Sequence, residues 1–382
     1  MSKLRPRTAI FSLAYDPFVG GAEIAVREIV RRLPGSDFVI LTRRFDNGWP
    51  PIEFSDNYSV VRLGRGRSDG NYYGGFFRKI SYIFSAYRWA ARAHATDPFT
   101  AVWAVMASYA GIAALFFKLR HPEVPLLLTL QEGDSEIHIL SRVGIFYPLW
   151  KLIFKKADYV QAISNFLADF ARRHGARCPV EVVPNGVDLE SYELSAVKSK
   201  GNSFNVVTTS RLVTKNAVDT LIKSAEYIDS HVNYLIYGSG PDHDRLAGLA
   251  NAVSGKNPNA TVRFLGHVSP DDIPEVLGAA QVFVRASRSE GLGNSFLEAM
   301  AAGVPVIGTR VGGIPDFLID EETGLFVEVD NPKDLAEKIL SLKNDPALRE
   351  RLSHNGKKLV KEKYSWDNIA FRMENIFKKL CV

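Results

Sequence analysis

Two glutamates, Glu290 and Glu298, lie with seven residues between them in the stretch 287–305 and could together bind a ligand rich in hydroxyl groups. Each carboxylate can accept hydrogen bonds from two hydroxyls at once. Gly291 and Gly293 lie between them, and glycines let a ligand approach the backbone closely. Such a pair alone is more often a loop glutamate and a solvated helix glutamate, so the flanking sequence decides between the two interpretations.

The flanking sequence predicts a strand, a loop, a helix and a second strand. The apolar runs 281–285 and 304–308 have the length and composition of strands. Residues 295–302 predict a short helix, because apolar residues recur at helical spacing at Leu297, Met300, Ala301 and Val304. Its N-cap would be Asn294 or Ser295. Free backbone N–H groups at the helix start would then point at a ligand oxygen, at Ser295, Phe296 and Leu297.

Two cations follow an earlier apolar run. Residues 204–208 predict a strand, Arg211 lies just past it, and Lys215 follows four residues later. A guanidinium fork and a mobile ammonium at the end of a strand suit a diphosphate group. For Lys215 the alternative is an ordinary surface lysine.

Strand-like runs alternate with helical stretches through most of the chain, which predicts an α/β fold with parallel sheets covered by helices on both faces. Such sheets bind ligands beyond the carboxyl ends of their strands. A chain of 382 residues is too long for one ordinary core, so two domains are expected. The polar stretch 195–203 places the domains at 1–195 and 196–365.

Composition limits the class of protein. No apolar run reaches about 18 residues, so no membrane-spanning helix is expected. The first residues lead directly to a predicted strand and show no secretory cleavage site, so no secretory signal peptide is expected. Cys178 and Cys381 match no metal or redox spacing, which suggests a reducing compartment and a cytoplasmic protein. The net charge of +5 comes entirely from residues 1–195, which hold 24 Lys and Arg against 19 Asp and Glu.

Residues 62–92 interrupt the alternation with seven basic residues, one acid and eight aromatics. Basic and aromatic residues together are typical of a helix at an anionic membrane surface. The alternative is a helix whose aromatics lie in the core while its arginines face water. No nucleic-acid recognition motif accompanies the segment, so nucleic acid is not an expected partner.

Several motifs occur in a fixed order: GGAE at 20–23, VPNGVD at 183–188, SRLV at 210–213, GSGP at 238–241, FLG at 264–266, EGLGNSFLEAMAAGVPVIG at 290–308 and VGGIP at 311–315. Together they resemble the retaining glycosyltransferases of the GT-B fold, family 4 in particular. The resemblance covers nearly the whole chain and is more specific in the second half.

The resemblance implies two Rossmann-like, doubly wound domains, with a C-terminal helix (366–382) that crosses back to the first. The first domain would bind the acceptor and the second a nucleotide sugar, with the chemistry in the cleft between them. Catalytic roles are implied for Arg211, Lys215 and Glu290. The implied donor-binding residues are Gly20, Gly21, Arg211, Lys215, Gly238, Gly266, Glu290, Asn294, Ser295, Phe296 and Glu298.

Two positions depart from the family pattern. Many members have a histidine just after the strand 126–130, where this chain has Gln131, and an amide does not titrate. Glu132 and Asp134 are then the nearest groups able to orient an acceptor hydroxyl. Many members also have the lysine five residues after the arginine rather than four.

The sequence therefore predicts a retaining, metal-independent glycosyltransferase that uses a nucleoside diphosphate sugar and needs no cofactor. The acceptor would be a glycan or a lipid-linked precursor, and residues 62–92 would attach the enzyme to the inner face of the cell membrane. A nucleotide-sugar epimerase, a phosphorylase and a non-catalytic nucleotide-sugar-binding module remain as alternatives.

Overall fold

The computed structural model describes residues 5–17, 20–66, 75–194 and 203–380. The chain forms two compact units. The first comprises Met1–Glu132, Glu136–Asn185 and Trp366–Val382, and the second comprises Gly133–Ser135 and Gly186–Ser365. The domain boundary predicted at residues 195–196 lies outside the described residues.

The strands are, in chain order, β1 (Arg7–Phe11), β2 (Asp37–Arg43), β3 (Ile52–Phe54), β4 (Tyr58–Leu63), β5 (Ala101–Val105), β6 (Leu126–Leu130), β7 (Tyr159–Ala162), β8 (Val180–Val182), β9 (Asn205–Thr209), β10 (Val232–Tyr237), β11 (Ala260–Gly266), β12 (Val282–Arg285), β13 (Val306–Thr309) and β14 (Leu325–Val327).

The α-helices are, in chain order, α1 (Gly21–Arg31), α2 (Phe76–Thr96), α3 (Tyr109–Arg120), α4 (Glu136–Val143), α5 (Tyr147–Lys156), α6 (Asn165–Arg173), α7 (Leu189–Leu194), α8 (Val218–Ser224), α9 (His243–Lys256), α10 (Ile273–Gly278), α11 (Asn294–Ala301), α12 (Pro332–Asn344), α13 (Pro346–Lys363) and α14 (Trp366–Leu380).

The first unit is built on one eight-stranded sheet with the order β3-β4-β2-β1-β5-β6-β7-β8. All neighbouring pairs are parallel except β3 with β4 at the edge. Strand β1 pairs with β2 on one side and β5 on the other, so the order of strands reverses beside it. Its residues Ala9, Ile10 and Phe11 are fully buried, as expected for a strand covered on both faces.

The C-terminal helix α14 belongs to the core of the first unit. Ile369 and Met373 on α14 lie in the same apolar cluster as Val26 and Ile29 of α1. Phe377 places its ring 5.8 Å from that of Phe38 and 5.5 Å from that of Trp103. Burial of this apolar face holds α14 in the first unit, as the family resemblance implied.

The second unit has a fully parallel six-stranded sheet with the order β11-β10-β9-β12-β13-β14. This is the strand order of a Rossmann fold, in which the crossover direction reverses between β9 and β12. The fold class predicted from the sequence, two doubly wound α/β sheets with a C-terminal helix returning to the first, is confirmed.

A few elements differ from the predictions. Strand β1 ends at Phe11, although the apolar pattern continues to Tyr15. Strands β3, β8 and β14 have three residues each, too few for a recognisable pattern. Helix α11 begins at Asn294 with Gly293 as its N-cap, so the predicted N-cap residues already lie at the helix start.

Residues 62–92 do not form a single element. Arg62 lies in β4, is 5% exposed and pairs with Glu53 at 2.8 Å, so it cannot face a membrane. Arg67, Asp69, Tyr72 and Tyr73 of this segment lie outside the described residues. Helix α2 contains no acid and buries one face, formed by Tyr82, Ile83, Ala86 and Ala90.

Within the described ranges, no single helix is both long and apolar enough to cross a membrane. Helices α4 and α5, which meet at 115°, pass the same test as a bent pair on length and composition alone. However, α5 buries Trp150, Ile153 and Phe154 in the first unit, which is the pattern of a core helix.

Candidate functional site

The candidate donor site lies in the second unit and is formed by two loops that leave the carboxyl ends of neighbouring strands. We call residues 286–293, which connect β12 to α11, the carboxylate loop, and residues 210–216, which follow β9, the cation loop. Strands β9 and β12 pair directly, with Val207 opposite Phe283, so the two loops begin side by side.

Glu290 in the carboxylate loop is largely buried, with 12% of its side chain exposed. Its Oε2 lies 2.8 Å from Nη2 of Arg285, the last residue of β12. This contact is a close ion pair without hydrogen-bond geometry. Its Oε1 accepts from the Gly291 amide at 3.2 Å. The Glu290 carboxylate is therefore held in a fixed position before any ligand binds.

Arg285 makes three further contacts that tie the site together. Its Nε lies 3.3 Å from Ser287 Oγ, its Nη1 donates to Ser295 Oγ at 2.8 Å and its Nη2 donates to Asn216 Oδ1 at 3.1 Å. No motif of the sequence predicts a role for Arg285. The signal was present: a charged residue ends a strand whose other residues are buried and apolar.

Glu298 lies in α11, and its carboxyl group is enclosed by protein atoms although the residue keeps partial exposure. Burial raises the pKa of this carboxyl to about 7, and the opposite effect of the positive charge of Arg285 is smaller. Tyr192 on α7 is close enough for the Glu298 charge to raise the pKa of its phenol further, after burial. Hydrogen bonds from hydroxyl groups would stabilise the charged form of a carboxylate placed in this way.

The cation loop presents Arg211 and Lys215. Arg211 is exposed, and its guanidinium has no ion-pair partner in the part of the chain that the structure describes. Lys215 Nζ lies 2.9 Å from Gly133 O and 2.9 Å from Asp134 Oδ1, in the short segment that belongs to the second unit. The loop is braced by Asn216, whose Nδ2 donates to Arg211 O at 2.7 Å.

Two glycines allow the backbone to pass close to these loops. Gly238 follows β10 with φ +139°, and a Cβ there would overlap Ser210 O. Gly312 has φ +54°, and a Cβ there would overlap Glu290 O. Gly266, predicted with Gly238 to bind the donor, accepts from the Gly238 amide at 2.6 Å. Any side chain at either of the first two positions would displace a loop that carries a candidate site residue.

The start of α11 differs from the prediction in one respect. The Phe296 amide is not free, because it donates to Gly293 O at 2.9 Å. The Phe296 ring is fully buried and lies 5.5 Å from the rings of both Phe283 and Phe317, so the side chain belongs to the core. Asn294 is half-buried as the first residue of the helix, next to Ser295.

The predicted glycine turn of the first unit lies at the start of α1, where Gly20 is the N-cap and Gly21 the first residue. A Cβ at Gly20 would overlap the carboxyl of Glu23. Burial raises the pKa of Glu23 to about 7. The turn therefore packs directly over a carboxyl group that protonates near neutral pH.

The three predicted acceptor residues divide between the units. Gln131 and Glu132 belong to the first, where Gln131 Oε1 accepts from Asn185 Nδ2 at 3.1 Å and Glu132 Oε1 accepts from the Ala107 amide at 2.9 Å. Asp134 belongs to the second unit and pairs with Lys215. Gln131 and Glu132 thus have structural partners, and Asp134 contacts another predicted site residue, Lys215.

Among the described residues, one cluster has the composition of a metal site: His94, His121 and Glu123 in the first unit, whose ligand atoms lie within 4.8 Å of one another. His94 Nδ1 accepts from the Phe99 amide at 3.0 Å. A histidine that binds a metal normally donates through its other nitrogen. This cluster therefore does not fit a metal site.

The chain contains one Asp-x-Asp triplet, Asp242-His243-Asp244, so metal independence cannot rest on the lack of one. Asp242 Oδ2 accepts from Thr214 Oγ1 at 3.1 Å and from Arg245 at 3.0 Å. Asp244 is fully exposed and contacts His243. Asp242 already has these two partners within the protein. The expectation of metal-independent catalysis therefore rests on the cations Arg211 and Lys215.

Two family models together span most of the chain. The "Glycosyl transferase 4-like domain" matches residues 20–186, and "Glycosyl transferases group 1" matches residues 193–359. The chain belongs to the group 1 glycosyltransferases. The family predicted from the sequence motifs is thereby confirmed.

Comparisons with individual proteins agree with this family. The uncharacterized glycosyltransferase MJ1178 of Methanocaldococcus jannaschii is 28% identical over 368 residues, 96% of each chain. The GDP-mannose-dependent monoacylated alpha-(1-6)-phosphatidylinositol monomannoside mannosyltransferase of Corynebacterium glutamicum is 31% identical over 242 residues, 58% of this chain and 62% of its own. The HepE protein of Anabaena, solved in complex with UDP and glucose, superimposes with a TM-score of 0.76 at 17% identity, over 98% of this chain and 100% of its own. The fold of this group 1 glycosyltransferase is GT-B.

The buried charge of Glu298 predicts how stability depends on pH. Its pKa is about 7 in the folded protein against an ordinary 4.5, so its stabilising protonation is complete below pH 4.5 and lost as the pH rises through 7. Glu298→Gln should therefore raise the free energy of unfolding at pH 8 by up to about 3 kcal/mol, and by much less at pH 5. Urea unfolding at the two pH values measures the difference.

The matched control is Glu337→Gln, which removes an exposed carboxylate on α12. It should leave the difference between the two pH values unchanged. Equal pH dependence of wild type and Glu298→Gln would contradict the burial of this charge.

Proposed function

We propose that this glycosyltransferase moves a sugar from a nucleoside diphosphate sugar to an acceptor hydroxyl with retention of anomeric configuration. The second unit would bind the donor and the first the acceptor. The observation that supports this is the juxtaposition of cations and carboxylates at the ends of β9 and β12. Lys215 Nζ and Glu290 Oε1 lie 3.3 and 3.7 Å from the place that a Cβ would take at Gly133.

The two cations suit the leaving group. When the bond to the sugar breaks, the diphosphate gains negative charge, and positive groups already in place stabilise that charge. Arg211 can provide a fork of donors and Lys215 a mobile point charge. Lys215 would exchange its contact with Asp134 for the phosphate.

The two carboxylates suit the sugars of the donor. Glu298 would accept hydrogen bonds from the ribose hydroxyls, which would offset the cost of its buried charge. Glu290 would accept from the hydroxyls of the transferred sugar and stabilise positive charge that develops on it. The acceptor would attack from the same face as the leaving group without a protein nucleophile, which yields retention.

A panel of labelled UDP-, GDP-, ADP- and dTDP-sugars tests the proposal. We expect transfer from at least one donor, with the product anomer identified by NMR. Glu298→Gln should weaken donor binding about ten- to a hundredfold, because a hydrogen bond to a charged group contributes about 1.5–3 kcal/mol. Glu290→Gln should lower turnover more than nucleotide affinity.

Each alternative function has its own outcome in this panel. Release of an epimerised donor would identify an epimerase, and tight binding without turnover would identify a binding module. Binding of no nucleotide sugar would refute the assignment of the second unit. Unchanged affinity in Glu298→Gln would refute the ribose assignment alone.

Metal-independent catalysis follows if Arg211 and Lys215 neutralise the diphosphate. Activity should then survive EDTA, and Arg211→Ala should lower turnover about 10²–10³-fold, the range for loss of one donor to a developing charge. Arg351→Ala, which removes an exposed arginine of α13, is the matched control and should retain activity. Activity that disappears in EDTA and returns with magnesium would count decisively against this scheme.

We also propose that the first unit binds the anionic lipid surface at the inner face of the cell membrane, where a lipid-linked acceptor would lie. Phe76 and Phe77 at the start of α2 are 52% and 85% exposed. Further along the outer face of α2 lie Phe84, Arg88 and Arg92, all exposed, and the helix contains no acid. An outward stripe of phenylalanine and arginine suits an interface between water and anionic lipid.

Neighbouring elements extend this positive, apolar surface. Helix α4 buries none of its residues in the first unit, and its Ile137 is 82% exposed. The pKa of Lys79 is lowered by burial first, then by the like charges of Arg142 on α4 and Arg43. Crowded cations of this kind would be relieved by anionic headgroups. The mannosyltransferase of Corynebacterium glutamicum, whose name specifies a phosphatidylinositol mannoside, supports a lipid acceptor here.

Vesicle co-sedimentation measures the attachment. The protein should bind vesicles containing phosphatidylglycerol and bind pure phosphatidylcholine weakly, because each cation near an anionic surface contributes about 1 kcal/mol. Phe76→Ser/Phe77→Ser should weaken binding at high salt, where charge is screened and insertion dominates. Phe371→Ser removes a phenylalanine that is 61% exposed on α14 and should have no effect. Equal, negligible binding to both lipids would mean that the acceptor is soluble.

A further inference from the structure

One of the side chains that join the two loops of the donor site, Arg285, was identified by no motif of the sequence. We propose that Arg285 is a positioning residue for sugar transfer: it holds Glu290 and Ser295 and, through Asn216, joins the carboxylate loop to the cation loop. This inference rests on the proposed donor-binding function of the second unit. The proposed function requires Glu290 to face the donor, and this inference names the residue that holds it in that position.

The contacts of Arg285 indicate that it acts through its neighbours rather than on the substrate. Only 14% of its side chain is exposed. All three of its nitrogens already face protein oxygens: Nε faces Ser287, Nη1 donates to Ser295, and Nη2 faces both Asn216 and Glu290. A planar fork that is engaged on every side fixes its partners in one geometry.

Asn216 connects the fork to the cation loop. It is 4% exposed, its Oδ1 accepts from Arg285 and its Nδ2 donates to Arg211 O at 2.7 Å. Rotating the amide by 180° would set its donor against the guanidinium and its acceptor against a carbonyl oxygen, so the two partners fix its orientation. The backbone of Arg211 is thereby linked to Glu290 through two largely buried side chains.

Glu290 needs such a partner because its backbone and its side chain are fixed by different means. The packing of Gly312 on Glu290 O holds only the backbone. The carboxylate lies beyond three rotatable bonds, and Arg285 is its ion-pair partner. Without Arg285, Glu290 would be a largely buried charge held only by the Gly291 amide and could turn away from the donor, and placement within a fraction of an ångström controls turnover.

The experiment is a double-mutant cycle in which Arg285→Gln, Glu290→Gln and the double variant are assayed with the panel donor that the wild type uses. Arg285→Gln should lower kcat about ten- to a hundredfold and change KM less, because it removes charge-assisted contacts that orient Glu290. The double variant should be no more than about threefold slower than Glu290→Gln alone, since both changes abolish the same interaction. Arg285→Lys keeps the charge without the fork and should recover part of the activity.

Asn216→Ala separates the two arms of Arg285, because it leaves the contact with Glu290 and breaks the link to Arg211. Its loss of turnover should be small, within the threefold limit given above, and should persist in combination with Glu290→Gln. Arg351→Gln is the matched control with an exposed arginine, and urea unfolding verifies that each variant is folded.

The outcomes distinguish this inference from the proposed function. If the wild type uses no donor of the panel, the proposed function fails and the inference fails with it. If the wild type is active but folded Arg285→Gln is equally active, or if its loss multiplies with that of Glu290→Gln, only the role of Arg285 is refuted.

Discussion

The candidate donor site depends on one constraint of parallel sheets, which is that the crossover connections on either side of β9 diverge. β9 pairs with β10 on one side and with β12 on the other, with Val207 opposite both Leu235 and Phe283. Loops that leave β9 and β12 at the carboxyl edge therefore begin next to each other but continue in different directions, which leaves room for a ligand between them. Arg211 and Glu290 both lie within a few residues of these strand ends, so the pairing of the two strands determines which loops lie side by side.

The charges that meet there are incompletely balanced in the free protein. A buried carboxylate costs free energy unless enough donors surround it. Glu290 has Arg285 as a close partner. The positive charge of the same guanidinium also lowers the pKa of Glu298, but burial has the larger effect and raises that pKa to about 7. One cation therefore serves two carboxylates. A ligand that brings hydroxyl groups to Glu298 would remove part of this cost, so the feature that destabilises the free protein is the one that would favour binding.

The sequence predicted those features that arise from patterns of several residues. Alternating runs predicted both sheets, and helical spacing predicted the buried face of α11, since burial of a strand or helix face imposes a period on the chain. The contacts of Arg285 were not predictable in this way, because its partners Asn216 and Ser295 lie 69 and 10 residues away in the chain and become neighbours only in the folded unit. The prediction that residues 62–92 face a membrane is wrong for Arg62 for the same reason. Arg62 lies buried against Glu53, because β3 pairs with β4 at the edge of the sheet.

The cation loop shows how a shorter spacing can still present its lysine. Lys215 follows Arg211 by four residues, where many members of the family have five, yet its Nζ and Glu290 Oε1 lie 3.3 and 3.7 Å from the place that a Cβ would take at Gly133. A 3₁₀ turn at Thr214–Asn216 shortens the path. Arg288 in the carboxylate loop then fastens that turn, because its amide donates to Lys215 O at 2.7 Å and its guanidinium pairs with Asp219 at 2.9 Å and Asp330 at 2.6 Å. These partners raise the pKa of Arg288 and keep it charged. The position of the lysine is thus set by cross-links from β12 rather than by the number of residues in its own loop.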